Sequence, residues 1–497
     1  MDAPEASTTG DARGAPIDRP ARLPAAGAGP HGPPDGRNLS PEERIAFGKQ
    51  ARGTAARRDH AGWEPPPDRR DPIELLEHQA QTRVPELVPI RHGRMLVSPF
   101  TYYRGAALPM AADLAGTPNS GLTVQLCGDA HLSNFGFFGS PERHLFFDVN
   151  DFDETAPGPW EWDLKRLAAS LEVAGRENGF TKKQRRTVVA RSARAYRRGM
   201  HDLSTMSMLG VWYSHLDIDE LLPRFQALLD PKKTPSIWHA IAKARAHDSL
   251  QAFEKLCTVA DGNPRIVSDP PLIMPVEEFI VGVDPAVVLD ALNKIIASYR
   301  QTLQPDRRHL LEQHRFVHLA RKVVGVGSVG TNAWIALFLD RDRGSPLFLQ
   351  IKEAEASVLE TFTAKSAFSN HGHRVVAGQQ LMQAASDIFL GWERFAWAGS
   401  ERDYYFRQLR DWKGSADIAG MTPTGMELWA RMCGWTLARA HAKSGDRLAI
   451  AAYLGKSDTF DQAISDFATG YADQTERDYQ AMQEAVATGR LEARTGL

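Results

Sequence analysis

The sequence predicts an α+β fold with two lobes, one large and mainly helical and one small and built on antiparallel β-strands. Helical apolar periodicity dominates up to about residue 314 and again from residue 413. Between these regions, residues 315–412 hold short runs rich in β-branched and aromatic residues, separated by glycine-containing turns. A chain of 497 residues with 42% apolar residues can bury a core in both lobes.

Composition and periodicity divide the chain into four segments. Residues 1–70 hold 11 of the 31 prolines and are predicted to form a disordered tail, with one short helix within SPEERIAFGKQARGTA. Residues 71–314 form the first part of the helical lobe, residues 315–412 the β-rich lobe, and residues 413–497 the second part of the helical lobe. The helical lobe is therefore expected to be assembled from two separated stretches of chain.

Charge and cysteine content narrow the class of protein. The 59 basic and 61 acidic residues give a net charge of -2, which argues against bulk electrostatic binding of nucleic acid. The three cysteines are far apart, so neither a disulfide framework nor a zinc site is expected. The sequence has no apolar run of membrane-spanning length and no signal-peptide core, so we expect a cytoplasmic protein without a membrane partner.

The first helical segment contains two predicted strands between two predicted helices. DPIELLEHQAQTRV has helical periodicity, LTVQLCGDA alternates as a strand does, and HLFFDVNDF predicts a second strand. GPWEWDLKRLAASLEVAG predicts a helix with Leu164, Leu167 and Leu171 on one stripe. Residues 180–320 are expected to be mainly helical, and no internal repeat is found.

The β-rich segment predicts a strand, a glycine loop and a second strand, followed by a third strand ending at Lys352. Two helical stretches, ASVLETF and HRVVAGQQLMQAAS, come next, and a strand pair closes the segment. The chain then returns to helix, where Thr422 is the expected N-cap and Pro423 suits the first turn.

The glycine loop has the pattern G-x-G-x-x-G, with Gly325, Gly327 and Gly330 at the glycine positions and Ser328 between them. Taken alone, the pattern fits a dinucleotide-binding turn, a kinase glycine-rich loop or a plain hairpin. A helix must follow in the dinucleotide version, whereas TNAWIALFL predicts a strand here. A lysine on the third strand, Lys352, completes the kinase arrangement. In that arrangement the glycine loop and the lysine bind the phosphates of ATP.

The stretch GDAHLSNFGFFGSPERHLFFDVNDFDE, from Gly128 to Glu154, supplies the remaining parts of a kinase site. Asp129 is expected to orient the substrate hydroxyl and accept its proton. Asn134 and Asp151 are expected to bind Mg²⁺, which prefers a few hard oxygen ligands and retains some waters. The predicted cofactors are therefore ATP and magnesium.

GDAHLSN resembles the GD-x-H-x-x-N loop of aminoglycoside and choline phosphotransferases, which belong to the protein-kinase-like fold. FDVNDFDE and PGPWEWDLKRLAAS match the acidic segment and the helix that follow in those families, and LARAHAKSGD resembles the helix that leads into their catalytic loop. The resemblance implies that Asp163 braces the catalytic loop. From about Asp71 to Leu497 the chain also resembles a bacterial family catalogued as domain of unknown function 2252.

Two features depart from ordinary kinases. The glycine loop and Lys352 follow the catalytic loop instead of preceding it, so the fold is expected to be circularly permuted, with surface termini permitting the rearrangement. The glutamate that should pair with the lysine is not identified from the sequence: Glu353 and Glu355 are too close, Glu360 is a candidate but early, and the later helix offers only glutamines.

Several side chains have two interpretations. Arg91, Arg94 and Arg104 either bind an anionic substrate or phosphate, or pair with the acidic stretch. Asp148 and Asp153 are either further metal ligands or structural acids. The sequence favours structural roles for His131 and His441. By position alone, Gln408, Leu409 and Arg410 are expected at a hinge strand near the adenine.

The function predicted from these motifs is ATP- and magnesium-dependent phosphoryl transfer to a hydroxyl of a small molecule or protein. A nucleotide-binding pseudokinase is the first alternative, because the usual partner of Lys352 is missing. A metal-dependent hydrolase built on the clustered acids is the second, and it predicts that Lys352 lies far from Asp151. The substrate and the oligomeric state do not follow from the sequence.

Overall fold

The computed structural model describes residues 39–497 apart from 222–240, 243–244, 246–248, 261, 281, 283, 398–399, 410–411 and 413. The helices in chain order are α1 Pro41–Gln50, α2 Pro72–Ala80, α3 Val88–Met95, α4 Pro99–Gly105, α5 Ala107–Ala115, α6 Glu161–Glu177, α7 Lys182–Ser204, α8 Met208–Tyr213, α9 Ser249–Leu256, α10 Pro285–Gln301, α11 Pro305–Glu312, α12 His371–Met382, α13 Pro423–Ser444, α14 Arg447–Leu454 and α15 Thr459–Ala487. The strands are β1 Thr123–Leu126, β2 Phe135–Gly139, β3 Leu145–Val149, β4 Ala156–Pro159, β5 Cys257–Ala260, β6 Asn263–Ile266, β7 Ile273–Pro275, β8 His314–Lys322, β9 Ala333–Asp340, β10 Pro346–Ala354, β11 Gly391–Trp397 and β12 Ser400–Gln408.

The fold is a mixed α+β fold with small antiparallel sheets, which confirms the predicted class at that level. The largest sheet has the strand order β11-β12-β10-β9-β8-β7. Its centre is an antiparallel meander of β8, β9 and β10, and β10 pairs with β12 on its other side. The glycine loop joins β8 to β9, so the expected strand, loop and strand are present. Strand β7 adds to the edge from a part of the chain before residue 314.

Both faces of this sheet are covered. On one face, Trp334, Leu349 and Phe406 pack against Leu292 and Ile296 of α10. On the other face, Ile335 and Phe348 form a cluster with Ala252 and Leu256 of α9 and with Ile266 of β6. Because side chains alternate along a strand, Lys352 lies on the same face of β10 as Phe348.

Helices α7 and α13 form the centre of the helical part. Helix α13 begins as the sequence predicts, with the Thr422 side chain accepting a hydrogen bond from the Gly425 amide and Pro423 in the first turn. The two helices approach closely, since a Cβ added at Gly434 would lie 2.2 Å from the Ser192 carbonyl oxygen. Met426, Cys433 and Leu437 are buried along the face of α13 that the apolar spacing predicts.

The last residues of α13 lie beside the first strand. The Gln125 amide of β1 donates a hydrogen bond to the Ser444 hydroxyl over 3.2 Å. The helix that carries LARAHAKS therefore ends next to the strand that leads to Asp129, although the two are separated by 319 positions in the chain.

The short helix expected near the N-terminus is α1, which has a capping box between Ser40 and Glu43. It packs on α14, where Arg44 forms an ion pair with Asp446 at 2.8 Å. The rest of the predicted tail, residues 1–38, lies outside the described residues. All three cysteines are free thiols. Over the described ranges, the search for a helix of sufficient length and apolarity to cross a membrane finds none.

Candidate active site

The loop that carries Asp129 begins at the end of β1 and makes a sharp turn at Gly128. This glycine has a φ of 85°, and a Cβ there would lie 2.0 Å from the Glu154 carbonyl oxygen. Only glycine fits such a position. The turn therefore brings the Asp129 loop against the acidic segment that ends at Glu154.

Asp163 holds this turn from α6, as the resemblance to phosphotransferases implies. Its carboxylate accepts hydrogen bonds from the backbone amides of Cys127 at 2.8 Å and Gly128 at 3.0 Å. His441 of α13 lies 3.2 Å from the same carboxylate, and its other ring nitrogen lies 2.8 Å from the Tyr196 hydroxyl. The buried chain of Tyr196, His441 and Asp163 fixes the backbone on either side of Gly128.

The Asp129 carboxylate is paired with a buried arginine. Arg166 donates from Nε to Asp129 Oδ1 over 2.5 Å. Burial raises the pKa of Asp129, and the guanidinium of Arg166 opposes that rise. The Asp129 side chain remains 18% exposed, so it is accessible to a ligand. A carboxylate that is oriented by one hydrogen bond and open to solvent on another side is suited to act as a base.

Asn134 and Asp151 supply oxygen atoms on the same side of the loop. The Asn134 side-chain amide donates to the Asp129 carbonyl oxygen at 2.7 Å, which leaves its own oxygen free for another partner. Asp151 Oδ1 is buried and has no hydrogen-bond partner among the described residues. Both residues offer an oxygen atom of the kind that a hard divalent ion prefers, and the Lys352 ammonium lies 3.7 Å from Asp151 Oδ1.

Clusters of three or more His, Cys, Asp or Glu side chains suited to a metal ion are absent from the part of the chain that the structure describes. Magnesium bound here would therefore take few protein ligands. That is its usual mode when substrate phosphates and waters complete the octahedron.

Lys352 of the large sheet meets the acidic segment. Its ammonium group hydrogen-bonds Asp153 and lies 3.7 Å from Asp151 Oδ1. Asp153 also accepts hydrogen bonds from the Tyr405 hydroxyl at 2.6 Å and from the Ser328 hydroxyl at 3.1 Å. The glycine loop, the third-strand lysine and the acidic stretch thus lie together.

The charged groups in this network shift one another's pKa values. Burial works to raise the pKa of Asp153, but the Lys352 ammonium and the hydrogen bonds outweigh it and lower the pKa to about 2. Burial works to lower the pKa of Lys352, but Asp151 and Asp153 raise it above its usual value. Lys352 is therefore a permanent cation in the site.

No glutamate pairs with Lys352 among the described residues, in line with the sequence. Glu353 instead binds Arg402 and the backbone and side-chain amides of Asn332. Helix α12, which follows the third strand in the chain, carries Arg374. This arginine donates hydrogen bonds to the backbone carbonyl oxygens of Asp153, Thr155 and Glu355, at distances of 2.8, 2.6 and 2.7 Å. The helix therefore positions the acidic segment through its backbone.

The glycine loop is anchored to the helical part by its two valines. Val326 is buried in a cluster with Ile73 and Met95, and Val329 is buried with Leu87 and Ile90. Among the residues predicted to bind phosphate, Gly325, Gly327 and Ser328 line the cleft between the two parts. Gly330 instead accepts a hydrogen bond from the Val84 amide at 2.8 Å, and a Cβ there would lie 3.0 Å from Arg83.

This cleft encloses about 990 Å³, open solvent included. One wall carries acidic side chains and the opposite wall carries arginines. The lining residues with functional groups are Gln79, Arg83, Arg91, Arg104, Asp129, His131, Asn134, Asp151, Asp153, Glu154, Ser328, Thr331, Glu353 and Glu355. Glu154 accepts a hydrogen bond from the Val358 amide, and burial raises the pKa of its carboxyl to about 7.

The structure decides some of the alternative roles that the sequence left open for other side chains. Asp148 is buried, binds Arg439 at 2.5 Å and accepts from the Ala384 amide at 2.8 Å, so it is a structural acid. His131 is buried, its Nε2 lies 3.7 Å from Asp129 Oδ2, and its Nδ1 has no partner among the described residues. Arg94 donates to the Gly325 carbonyl oxygen at 2.6 Å.

The expected hinge residues lie at the end of β12 and directly after it. Leu409 donates from its amide to the Phe348 carbonyl oxygen at 2.9 Å and packs on the cluster formed by α9 and the sheet. The Gln408 amide is bonded to Asp387. Arg410 lies outside the described residues.

Sequence reasoning did not find three side chains of the site: Arg166, Tyr405 and Arg374. Arg166 follows Asp163 by three positions on one helix, a spacing that places both on one face and that carries a usable signal. Tyr405 lies opposite Lys352 in the register of β10 and β12, which the sequence does not reveal. Arg374 was not predicted, because an acid was expected on α12.

A family model described as "Uncharacterized protein conserved in bacteria (DUF2252)" matches residues 83–485 of the chain. This range contains the Asp129 loop, the acidic segment, the glycine loop and Lys352. The searches of curated proteins and of solved structures each found no match.

Proposed function

The chain belongs to the DUF2252 family, and we propose that it is an ATP- and magnesium-dependent phosphotransferase acting on a hydroxyl group. The observation that carries the proposal is the meeting of Lys352 with Asp151 and Asp153. Lys352 and Asp153 are 199 positions apart in the chain, yet they form an ion pair beside the glycine loop, in which Lys352 is buried and Asp153 is half-buried. A phosphate-binding lysine next to a metal-binding carboxylate is the central pair of a kinase-type site.

The proposed fold is a circularly permuted protein-kinase-like fold. Support comes from the β-rich part, where a glycine hairpin, a third-strand lysine, helix α12 and a strand pair follow in the order of a kinase nucleotide lobe. Further support comes from α13, whose end at Ser444 lies beside the strand that leads to Asp129. The catalytic loop would follow such a helix directly in an unpermuted chain.

In the proposed reaction, Asp129 orients the acceptor hydroxyl and receives its proton as the oxygen attacks the γ-phosphorus. The bond from that phosphorus to the β–γ bridging oxygen breaks, and ADP leaves. Arg166 holds the Asp129 carboxylate in position. Lys352 and the backbone amides of the glycine loop would bind the phosphates of the nucleotide. Magnesium, held by Asn134 and Asp151, would supply positive charge that offsets the charge of the phosphates.

A pseudokinase that binds nucleotide without chemistry is the second candidate. The face of the sheet that carries Lys352 is covered near Phe348 by α9 and β6, and the expected hinge residue Leu409 packs on the same cluster. Helix α9, strand β6 and Leu409 take up space that the base of a nucleotide would need. The hydrolase alternative required Lys352 to lie far from Asp151, and their separation of 3.7 Å does not favour it.

The proposal is tested by calorimetric titration of Mg-ATP into the wild-type protein and the Lys352→Ala variant. Wild type should bind with micromolar affinity only when magnesium is present. Lys352→Ala should weaken binding at least about tenfold, because a charge-assisted contact is lost. Lys294→Ala, which changes a lysine 76% exposed on α10, is the matched control and should bind as wild type.

Turnover separates the two candidates. Asp129→Ala should keep Mg-ATP affinity but lose phosphoryl transfer, measured as ADP production with water or a screened hydroxyl compound as acceptor. Absence of Mg-ATP binding by well-folded wild-type protein would refute both candidates. Binding without any ADP production, in every acceptor screened, would favour the pseudokinase.

A further inference from the structure

Three arginines form one wall of the cleft, and their side chains keep unused donors. Arg83 precedes α3, Arg91 lies on α3 and Arg104 lies on α4. Arg91 is fully buried and Arg83 is nearly so. Among the described residues, Arg83 Nε, Arg91 Nε, Arg91 Nη1 and Arg104 Nε are buried and have no hydrogen-bond partner. We call these three residues the arginine subsite.

Other buried arginines of the protein are paired with carboxylates. Arg69 bridges Asp113 and Asp478 at 2.8 and 2.7 Å, and Arg197 binds Asp461 at 2.8 Å. Buried charges are normally paired in this way, because an unpaired buried charge is costly. Within the described part of the chain, none of the three subsite arginines forms an ion pair, so the subsite departs from the pattern of the rest of the molecule.

Three of the acids that line the cleft are already engaged. Asp153 is held by Lys352 and Tyr405, and Glu353 is held by Arg402. Glu154 accepts from the Val358 amide. Burial lowers the pKa of each subsite arginine, and nearby carboxylates, with Glu355 acting on Arg83 and Asp129 on Arg104, offset this only in part. A bound anion would supply further negative charge.

The location of Arg104 indicates which ligand the arginine subsite binds. Arg104 lines the cleft together with Asp129 and Asp151, and its charge opposes the rise that burial causes in the pKa of Asp129. The acceptor must contact Asp129 if that residue is the base. The phosphates of the nucleotide have their own ligands in Lys352 and the glycine loop.

We propose that the arginine subsite binds an oxyanion, phosphate or carboxylate, that the acceptor substrate carries in addition to the hydroxyl that is phosphorylated. The assignment rests on the proposed phosphotransferase function. Guanidinium groups suit this task, because their several N–H donors match the oxygens of phosphate and carboxylate. The substrate class is thus an anionic hydroxyl compound.

The test uses inorganic phosphate as the probe, titrated calorimetrically into the full-length protein without nucleotide and again with saturating Mg-ATP analogue that cannot be hydrolysed. Wild type should bind phosphate in both conditions. Arg104→Met and Arg91→Met should each weaken phosphate binding at least about tenfold, because a hydrogen bond between charged groups is lost. Arg104→Lys should restore part of the affinity, and Mg-ATP affinity should stay unchanged in Arg104→Met.

Thermal unfolding distinguishes binding from a structural role. Arg104 makes no hydrogen bond or ion pair in the described part of the chain, so Arg104→Met should leave the melting temperature unchanged or raise it. Arg69→Met, which breaks a paired arginine, should lower it clearly. Arg186→Met, at an exposed ion pair with Asp466, is the control for phosphate affinity.

Three outcomes would overturn the inference: no phosphate binding by wild type, displacement of phosphate by the Mg-ATP analogue, or a melting temperature that falls in Arg104→Met as far as in Arg69→Met. Displacement would assign the arginines to the nucleotide. Failure of Mg-ATP to bind refutes the proposed function instead, and the nucleotide-free phosphate titration keeps the two failures distinct.

Discussion

Individual side chains in the cleft differ in protonation because each meets a different environment. Burial raises the pKa of Asp129 and of Glu154, whereas Lys352 lowers the pKa of the neighbouring Asp153 to about 2. Four acids within one short segment therefore need not repel one another, since one is neutralised by a lysine and another binds protons more readily. These different environments allow the acidic residues of this stretch to lie close together.

Glu154→Gln should stabilise the protein at alkaline pH and not at acidic pH. The pKa of Glu154 is raised from 4.5 to about 7, so the native state holds its proton more tightly than the unfolded chain. That contribution to stability is fully present below pH 4.5 and is lost as the pH rises through 7. The variant should melt near the wild-type temperature at pH 4.5 and at least about 2 °C higher at pH 8.

Differential scanning calorimetry across this pH range is the measurement. The amide of the variant can still accept the hydrogen bond from the Val358 amide, so packing is preserved. Glu142→Gln, at an exposed position, is the control and should show no pH-dependent gain. A gain for Glu154→Gln that is equal at both pH values would contradict the assignment.

At the scale of elements, the glycine loop and helix α9 both fill space beside the sheet. The loop is held by Val326 and Val329, which are buried among helical residues on its two sides. Helix α9 contributes Ala252 and Leu256 to the cluster that covers Phe348. A nucleotide base that approached this face would compete with α9 for contact with the sheet.

Leu256→Ala should tighten Mg-ATP binding under the proposed function. The substitution removes buried contacts of α9, so the undocked state becomes more populated and less of the binding free energy is spent on displacing the helix. Titration calorimetry should show a lower Kd than in wild type. Leu292→Ala, on the opposite face of the sheet, is the matched control and should leave the Kd unchanged. A Kd unaltered in Leu256→Ala would show that the base binds elsewhere.

For the whole molecule, the decisive contact is the ion pair that joins the sheet to the helical part. Lys352 comes from β10, while Asp151 and Asp153 follow β3. Tyr405 of β12 and Arg374 of α12 bind the same acidic segment, so the sheet, α12 and the catalytic loop are held together at one place. Removing the lysine takes away the ammonium group that the two carboxylates share, although the charge of Arg407 still acts on both.

A double-mutant cycle on Lys352→Met and Asp153→Asn should show strong coupling. Lys352→Met alone is expected to lower the free energy of unfolding by about 3–5 kcal/mol, because it strands a buried charge. The double variant should recover part of that loss, with a coupling energy of at least about 1 kcal/mol. Urea unfolding with linear extrapolation measures all four proteins. Strict additivity of the two single changes would mean that the pair does not join the two parts in solution.

The sequence by itself determined the local structure. The caps and apolar spacing of α13, the meander around the glycine loop and the turn at Gly128 all follow from neighbouring residues, because short-range sterics and periodicity decide them. The role of Asp163 was also within reach, since its signal lies in a short motif, whereas the partner of Lys352 stayed open.

The tertiary structure alone decided which distant residues meet. The contact of Lys352 with Asp153 depends on how the sheet docks, and Tyr405 reaches Asp153 through the strand register. The unpaired state of Arg91 and Arg104 likewise appears only once every neighbouring acid is located. Such contacts depend on long-range packing, and no local pattern in the chain encodes their partners.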